Sequence, residues 1–162
     1  ELLNYRKYNS AIKKFLKKHN SKIIFEPGRS IIGNVGTLIS KIMYIKKDEN
    51  KNFIILDAGM NDLIRPALYG AFHKIMPVTQ RGKKMKKISE FVGPICESTD
   101  KFMTIKKFQE LKEKDIIAIC DVGAYGMSLS SNYNLRPKPI ELLIRGSKIK
   151  VIRKRQRYKD II

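Results

Sequence analysis

Residues 35–47 read VGTLISKIMYIKK, a run rich in β-branched and other apolar residues, and residues 52–56 read NFIIL. The polar sequence Asp48-Glu49-Asn50 lies between them and is typical of a turn. Two β-prone runs joined by a short polar turn predict a β-hairpin. We therefore expect a β domain to begin at residue 35.

More short strands are predicted along the rest of the chain, at residues 71–78, 86–92, 115–121, 140–145 and 148–153. Arg145-Gly146-Ser147 is expected to form the tight turn between the last two. Short helices are predicted at 61–69 and 124–130. Many short strands with intervening turns favour a mostly antiparallel barrel or sandwich, so residues 35–162 are interpreted as one C-terminal β domain.

The first 34 residues have a different pattern. Apolar residues recur at helical spacing within 3–19, with lysines largely on the opposite face, which predicts an amphipathic helix. A short apolar strand is predicted at 22–25, followed directly by Glu26-Pro27-Gly28-Arg29. This order is how one unit of an α/β barrel ends. The expected fold class is therefore α+β, with 1–34 ending a TIM-type barrel and 35–162 forming the β domain.

The chain has 162 residues and begins at Glu1, as if inside a helix, so we expect it to be a piece of a longer protein. No apolar run approaches the roughly 20 residues of a membrane span. The two cysteines are too few for a disulfide framework, which favours a reducing, cytoplasmic compartment. The spacing of the cysteines and of the two histidines predicts no metal site.

The chain is strongly basic, with 34 Lys and Arg against 15 Asp and Glu and a net charge of +19. Such a charge first suggests nucleic acid or an anionic membrane. However, 25 of these cations are lysines spread along the whole chain, whereas phosphate recognition favours arginine. We interpret the charge as a solvated surface and expect neither a nucleic-acid nor a membrane partner.

Residues 32–39 read IGNVGTLI and match the I-G-x-x-G-x-x-I pattern of KH domains, which bind single-stranded nucleic acid. The central residues, Asn34 and Val35, carry no charge to meet a phosphate. A β-prone run also follows where a KH domain needs a helix. A KH-like RNA-binding module is therefore the less favoured alternative.

Two segments place candidate binding residues together. Gly28, in the loop after the predicted barrel strand, allows close approach of the backbone to a ligand, and free N–H groups there can hold a phosphate. An ordinary Pro-Gly turn is the alternative. Arg65 and Tyr69 are spaced i, i+4, so one helical turn would present both to a carboxylate. A surface arginine beside a half-buried tyrosine is equally compatible with that spacing.

Two further positions are candidates for chemistry. Cys96 precedes Glu97 in a predicted loop, and an acidic neighbour disfavours the thiolate, which suits a proton donor better than a nucleophile. A buried, inert cysteine is the alternative. Tyr125 stands at a glycine-flanked strand end, where a phenol could reach a phosphate or simply pack in the core. Cys120 is predicted to belong to the core.

Taken in order, EPGR (26–29), DAGMNDLIRPALYGA (57–71), GPICESTD (93–100) and DVGAYG (121–126) closely resemble the diaminopimelate decarboxylase family. These are pyridoxal 5'-phosphate-dependent lyases of the fold-type-III, alanine-racemase-like group. The resemblance extends from about Lys22 to the end of the chain and matches only the C-terminal portion of such an enzyme. The family's Schiff-base lysine and glycine-rich phosphate loop are therefore expected upstream of Glu1.

The resemblance implies a role for each candidate. It implies Cys96 as the proton donor. It implies a cofactor-binding set of Glu26, which pairs with the pyridinium nitrogen, Pro27, Gly28, Arg29 and Tyr125. It implies a substrate-binding set of Arg29, Arg65, Tyr69, Glu97 and Tyr125.

The implied reaction is decarboxylation of meso-2,6-diaminopimelate to L-lysine and CO2, the last step of lysine biosynthesis by the diaminopimelate route. The implied assembly is a homodimer with shared active sites, in which the loop bearing Cys96 reaches into the neighbour's site. Ornithine-type relatives carry Asp after this cysteine, so Glu97 favours diaminopimelate. A related decarboxylase for arginine or a polyamine precursor is the alternative enzyme.

Overall fold

A computed structural model describes residues 4–162. Helix α1 spans Tyr5–Lys18, which confirms the predicted amphipathic helix, although position 3 of that prediction lies outside the described residues. The Asn4 side chain caps the helix by accepting a hydrogen bond from the Lys7 amide at 3.0 Å. All residues of α1 remain at least partly exposed, and the Tyr8 ring lies 6.0 Å from that of Phe25.

A curled six-stranded sheet forms the body of the β domain, with strand order β3-β6-β1-β2-β4-β5. The strands are β1 (Thr37–Lys47), β2 (Lys51–Leu56), β3 (Ile75–Pro77), β4 (Ile88–Val92), β5 (Lys101–Ile105) and β6 (Ile116–Cys120). The β1–β2 hairpin is confirmed, and all pairs are antiparallel except β2 with β4. Strand β5 was not predicted from the sequence.

The core lies on one face of this sheet. Along β2 the side chains alternate between buried and half-buried, as the period of two of a strand requires. The completely buried apolar side chains come from β1, β2, β4 and β6, namely Ile42, Ile54, Leu56, Phe91, Ile117 and Ile119. Burial of each contributes roughly 1.5–3 kcal/mol, so this layer fixes the positions of the loops at the sheet's ends.

A separate two-stranded hairpin follows, made of β7 (Glu141–Arg145) and β8 (Lys148–Arg153). Gly146 takes a left-handed φ of 59° in the predicted tight turn, a conformation that costs glycine little. The apolar residues of both strands are exposed.

Four local predictions differ from the structure. Residues 22–25 form no strand, and none of the described strands pairs with them. The strand predicted at 71–78 is only β3 (Ile75–Pro77). The helix predicted at 61–69 is only α3 (Arg65–Tyr69), which ends at Gly70 with a φ of 61°. The helix predicted at 124–130 is a 3-10 turn at Met127–Leu129. The boundary between residues 34 and 35 stays a prediction.

None of the helices in residues 4–162 has the length and apolar character needed to cross a membrane.

Candidate functional site

Backbone-to-backbone packing joins the loop that contains Gly28 to the loop that contains Tyr125. The short helix α2 (Arg29–Ile32) is followed by a 3-10 turn that begins at Gly33. The Gly123 amide donates a hydrogen bond to the Gly33 carbonyl at 2.9 Å. A Cβ on Gly123 would collide with the carbonyl oxygen of Ile32, so glycine is required for this approach.

This packing accounts for Gly36 of the IGNVGTLI motif. Gly36 accepts a hydrogen bond from the Val122 amide at 3.1 Å, and a Cβ on Gly36 would meet the backbone of Gly123. Strand β1 follows directly at Thr37, where a KH domain needs a helix. The KH interpretation is therefore wrong, and Gly36 serves close chain packing.

Four candidate residues gather where these loops meet. Tyr125 has a left-handed φ of 59°, and a Cβ placed on Gly28 would lie 2.7 Å from its hydroxyl. The guanidinium carbon of Arg65 is 5.8 Å from the centre of the Tyr125 ring and 5.7 Å from that of Tyr69. Arg65 thus lies within cation–π range of both rings, at the start of α3. We call Gly28, Arg65, Tyr69 and Tyr125 the arginine cluster.

His73 supports the arginine cluster, and the sequence did not indicate this role. Its side chain is 3% exposed, its Nδ1 lies 3.0 Å from the Cys120 carbonyl, and its Nε2 accepts from Arg65 Nε at 3.4 Å. The carbonyl requires a proton on Nδ1 and the Arg65 donor requires a lone pair on Nε2, so the imidazole is neutral. Burial lowers the pKa of His73, and the nearby charges of Arg65 and Arg29 lower it further against the opposing Cys120 carbonyl.

Cys120 itself is half-buried in β6, so its placement in the core is only partly confirmed. Glu26 is exposed in the extended segment before α2. Arg29 is also exposed, and its side chain runs beside Gly33, where a Cβ would lie 2.9 Å from the Arg29 Cγ.

A second group of candidates is held by the buried Asp100, which is 3% exposed. One carboxylate oxygen accepts the Met60 amide at 2.7 Å and the other accepts the Ile95 amide at 2.8 Å. Burial raises the pKa of Asp100, although these two amides and the charge of Arg136 oppose the shift. The carboxylate therefore fastens the loop before Cys96 to the segment before α3.

The loop presents Cys96 and Glu97 to solvent, and both side chains are exposed. The Tyr133 hydroxyl donates to Glu97 Oε1 at 2.5 Å, and this bond is the main cause that raises the pKa of Tyr133. We call Cys96, Glu97 and Tyr133 the Cys-Glu group. Tyr133 was not singled out by the sequence, because 36 residues separate it from Glu97.

The two groups are distinct in the described chain. Within residues 4–162, no hydrogen bond, ion pair or aromatic contact joins a side chain of the arginine cluster to one of the Cys-Glu group. The same residues contain no set of three His, Cys, Asp or Glu side chains that could hold a metal ion.

Comparison with known families identifies the class. The family model for the pyridoxal-dependent decarboxylase C-terminal sheet domain matches residues 8–123. The chain therefore belongs to the pyridoxal-dependent decarboxylases and contains the sheet domain that ends them.

The individual relatives with high similarity to the chain are diaminopimelate decarboxylases. The chain is 44% identical over 151 residues to the diaminopimelate decarboxylase of Aquifex aeolicus, covering 93% of this chain and 36% of the relative. It is 45% identical over 161 residues to that of Helicobacter pylori strain J99, covering 99% of this chain and 40% of the relative. The crystal structure of the H. pylori diaminopimelate decarboxylase complexed with L-lysine superposes with a TM-score of 0.87 at 45% identity, covering 99% of this chain and 39% of that one.

The chain thus spans somewhat more than a third of the length of the curated relatives it matches. A lysine/ornithine decarboxylase from Vibrio vulnificus superposes with a TM-score of 0.71 at 20% identity, a likeness that concerns the fold alone.

Proposed function

We propose that this chain is the C-terminal part of a pyridoxal 5'-phosphate-dependent decarboxylase that converts meso-2,6-diaminopimelate to L-lysine and CO2 in the cytoplasm. The observation that carries the proposal is the Cys96-Glu97 loop, held on buried Asp100 with its thiol and carboxylate exposed. The identity of 44–45% to diaminopimelate decarboxylases over nearly the whole chain supports the substrate. So does the relative whose structure contains L-lysine.

The residues around Gly28 fit a pyridoxal phosphate. A Cβ at Gly28 would crowd the Tyr125 hydroxyl, so glycine lets the Gly28 backbone and this phenol lie side by side, where both can face one ligand. Arg29 and Tyr125 would offer donors to the phosphate, and the exposed Glu26 carboxylate would pair with the pyridinium nitrogen. When bound, the cofactor supplies an electron sink for the electron pair left by departing CO2.

Arg65 and Tyr69 would bind a substrate carboxylate. The Nε of Arg65 is engaged by His73, which leaves both terminal nitrogens without a hydrogen bond among the described residues. Two parallel N–H groups suit a carboxylate in a bidentate pair. The Tyr69 phenol, on the same side of α3, would add a third donor.

Cys96 would donate the proton that replaces CO2 on the reacting carbon, and solvent would then reprotonate the thiolate. Glu97 would receive the ammonium group at the far end of the substrate, which distinguishes diaminopimelate from substrates without one there.

The separation of the two groups supports a site shared between protomers. The exposed Cys-Glu group does not complete the arginine cluster of its own chain, so we propose that it enters the site of a second copy in a homodimer. A two-fold symmetric dimer would complete both sites at once.

The test uses the complete polypeptide containing this chain, loaded with pyridoxal phosphate. We expect release of CO2 and L-lysine from meso-diaminopimelate, and little release from L-arginine or L-ornithine. Preferential turnover of arginine or ornithine would support the alternative decarboxylase, and no turnover of any of them would contradict the proposed function.

A further inference from the structure

We propose that Tyr133 is a positioning residue that sets substrate specificity: its hydroxyl holds one oxygen of Glu97 so that the other faces the distal ammonium of the substrate. This inference rests on the proposed function, in which Glu97 receives that ammonium. Tyr133 is not among the candidate residues that the sequence motifs predicted.

The hydrogen bond occupies only half of the carboxylate. Tyr133 Oη lies 2.5 Å from Glu97 Oε1, whereas Oε2 has no hydrogen-bond partner among the described residues. A flexible carboxylate loses side-chain entropy when it binds a cation, and a partner that already fixes its rotamer reduces that loss. Glu97 is therefore prepared to bind a cation through Oε2.

The chemical type of the residue that holds Glu97 also affects how Glu97 can bind a ligand. A lysine or arginine at position 133 would hold Glu97 equally well but would cancel its negative charge. A neutral phenol orients the carboxylate and leaves the full charge for the ligand. Such a partner is suited to a carboxylate that must bind an ammonium, rather than to one that only forms a structural ion pair.

The backbone at Tyr133 is constrained independently of Glu97. The next two residues, Asn134 and Leu135, have left-handed φ values of 56° and 54°, a conformation that non-glycine residues adopt only when their surroundings enforce it. The Asn132 side chain supplies that enforcement by donating to the Arg136 carbonyl at 2.9 Å and to Gln156 Oε1 at 2.7 Å.

The loops of Tyr133 and Glu97 are anchored to the same segment, which runs from Asp57 to Asp62. Arg136 Nε donates to buried Asn61 at 3.1 Å, and the Arg136 Nη2 group also donates to the Asp57 carbonyl. The neighbouring Met60 amide binds Asp100, which holds the Cys96-Glu97 loop. A common anchor fixes the relative position of the phenol and the carboxylate before any ligand arrives.

The test measures binding of L-lysine and 6-aminohexanoate to the complete, cofactor-loaded protein by calorimetry. The two compounds share a carbon chain, a carboxylate and the amine at the reacting end, and they differ by the α-ammonium of lysine, which is the distal ammonium when the ε-carbon is the one that has lost CO2. We expect the unaltered protein to prefer L-lysine, and Tyr133→Phe, which keeps the ring, to reduce that preference about tenfold, the loss typical of a hydrogen bond to a charged group. Steady-state kinetics should show a raised KM for diaminopimelate with a nearly unchanged kcat.

Two further variants separate positioning from a general structural effect. Tyr158→Phe removes an exposed hydroxyl that makes no hydrogen bond among the described residues, and it should leave the preference unchanged. In a Glu97→Gln background, Tyr133→Phe should cause no further loss, because Tyr133 acts through the charge of Glu97.

The outcomes distinguish the two proposals. If the unaltered protein prefers L-lysine and turns over diaminopimelate but Tyr133→Phe keeps the full preference, Tyr133 has no positioning role. An equal loss in the Glu97→Gln background would also overturn that role. If the unaltered protein neither prefers L-lysine nor turns over diaminopimelate, the proposed function itself fails.

Discussion

Arg65 donates a hydrogen bond from Nε to Nε2 of the buried His73, which in turn donates from Nδ1 to the Cys120 carbonyl. The chain of bonds ties the guanidinium to strand β6. This chain of hydrogen bonds exists only while His73 is neutral, because a protonated Nε2 cannot accept a hydrogen bond from Arg65. The orientation of the proposed carboxylate-binding arginine therefore depends on a titratable neighbour.

Protonation of His73 should make the protein less stable in mild acid. The pKa of His73 is lowered in the folded protein, so below about pH 6.5, the usual value, the unfolded chain binds a proton that the folded chain does not. The free energy of unfolding should fall as the pH drops from 7.5 to 5.5, and part of this fall should disappear in His73→Gln. Denaturant titrations at both pH values measure the difference.

His19→Gln is the control, because His19 is an exposed residue at the end of α1. It should keep the pH dependence of the unaltered protein. An identical pH dependence in His73→Gln would show that His73 does not titrate between the folded and unfolded states as described.

Gly93→Ala should destabilise the protein because of the space that Asp100 occupies. A Cβ at Gly93 would overlap the Asp100 carboxylate, which cannot move without releasing the amides of Met60 and Ile95. We expect a loss of about 1–3 kcal/mol in the free energy of unfolding, the usual cost of overpacking. Gly82→Ala is the matched control, since nothing lies within 4 Å of its Cβ position. Equal effects of the two substitutions would contradict the anchoring role of Asp100.

Cys96→Ala in the complete enzyme should lower kcat far more than it raises KM. The proton is delivered after the substrate has bound, so its loss affects the chemical step rather than binding. We expect a decrease in kcat of roughly 10²–10⁴-fold, the usual contribution of a positioned proton donor. Cys120→Ala serves as comparison and should keep kcat close to that of the unaltered enzyme. A normal kcat in Cys96→Ala would remove this thiol from the mechanism.

Glu97→Asp should impair diaminopimelate selectively, because the shorter side chain withdraws the carboxylate from both Tyr133 and the distal ammonium. The measurement compares kcat/KM for meso-diaminopimelate with that for ornithine, whose shorter chain places its amine elsewhere. If both substrates lose the same factor, Glu97 does not recognise the distal group.

The sequence predicted those features that depend on near neighbours in the chain. The hairpin of β1 and β2 follows from two β-prone runs around a three-residue turn, and the common face of Arg65 and Tyr69 follows from their i, i+4 spacing. Both are local relationships. The EPGR and DVGAYG motifs were likewise recognisable as short contiguous strings.

Features that depend on distant pairing were missed. The parallel alignment of β2 with β4 and the short strand β5 are set by neighbours that no local pattern specifies. The Cys120 carbonyl that His73 contacts lies 47 residues away, and the Glu97 that Tyr133 contacts lies 36 residues away, so the two residues alone gave no signal of their roles. The strand predicted at 22–25 was wrong because an apolar run forms a strand only when a neighbouring strand pairs with it.

In the proposed homodimer, one protomer's arginine cluster and the other protomer's Cys-Glu group form a single decarboxylating site. Coexpression of Arg65→Gln and Cys96→Ala chains tests this shared site, because each homodimer lacks one half of both sites. Mixed dimers contain one intact site, so with random pairing we expect recovery of roughly a quarter of the unaltered activity. Recovery of no activity above that of the separate variants would contradict the shared site.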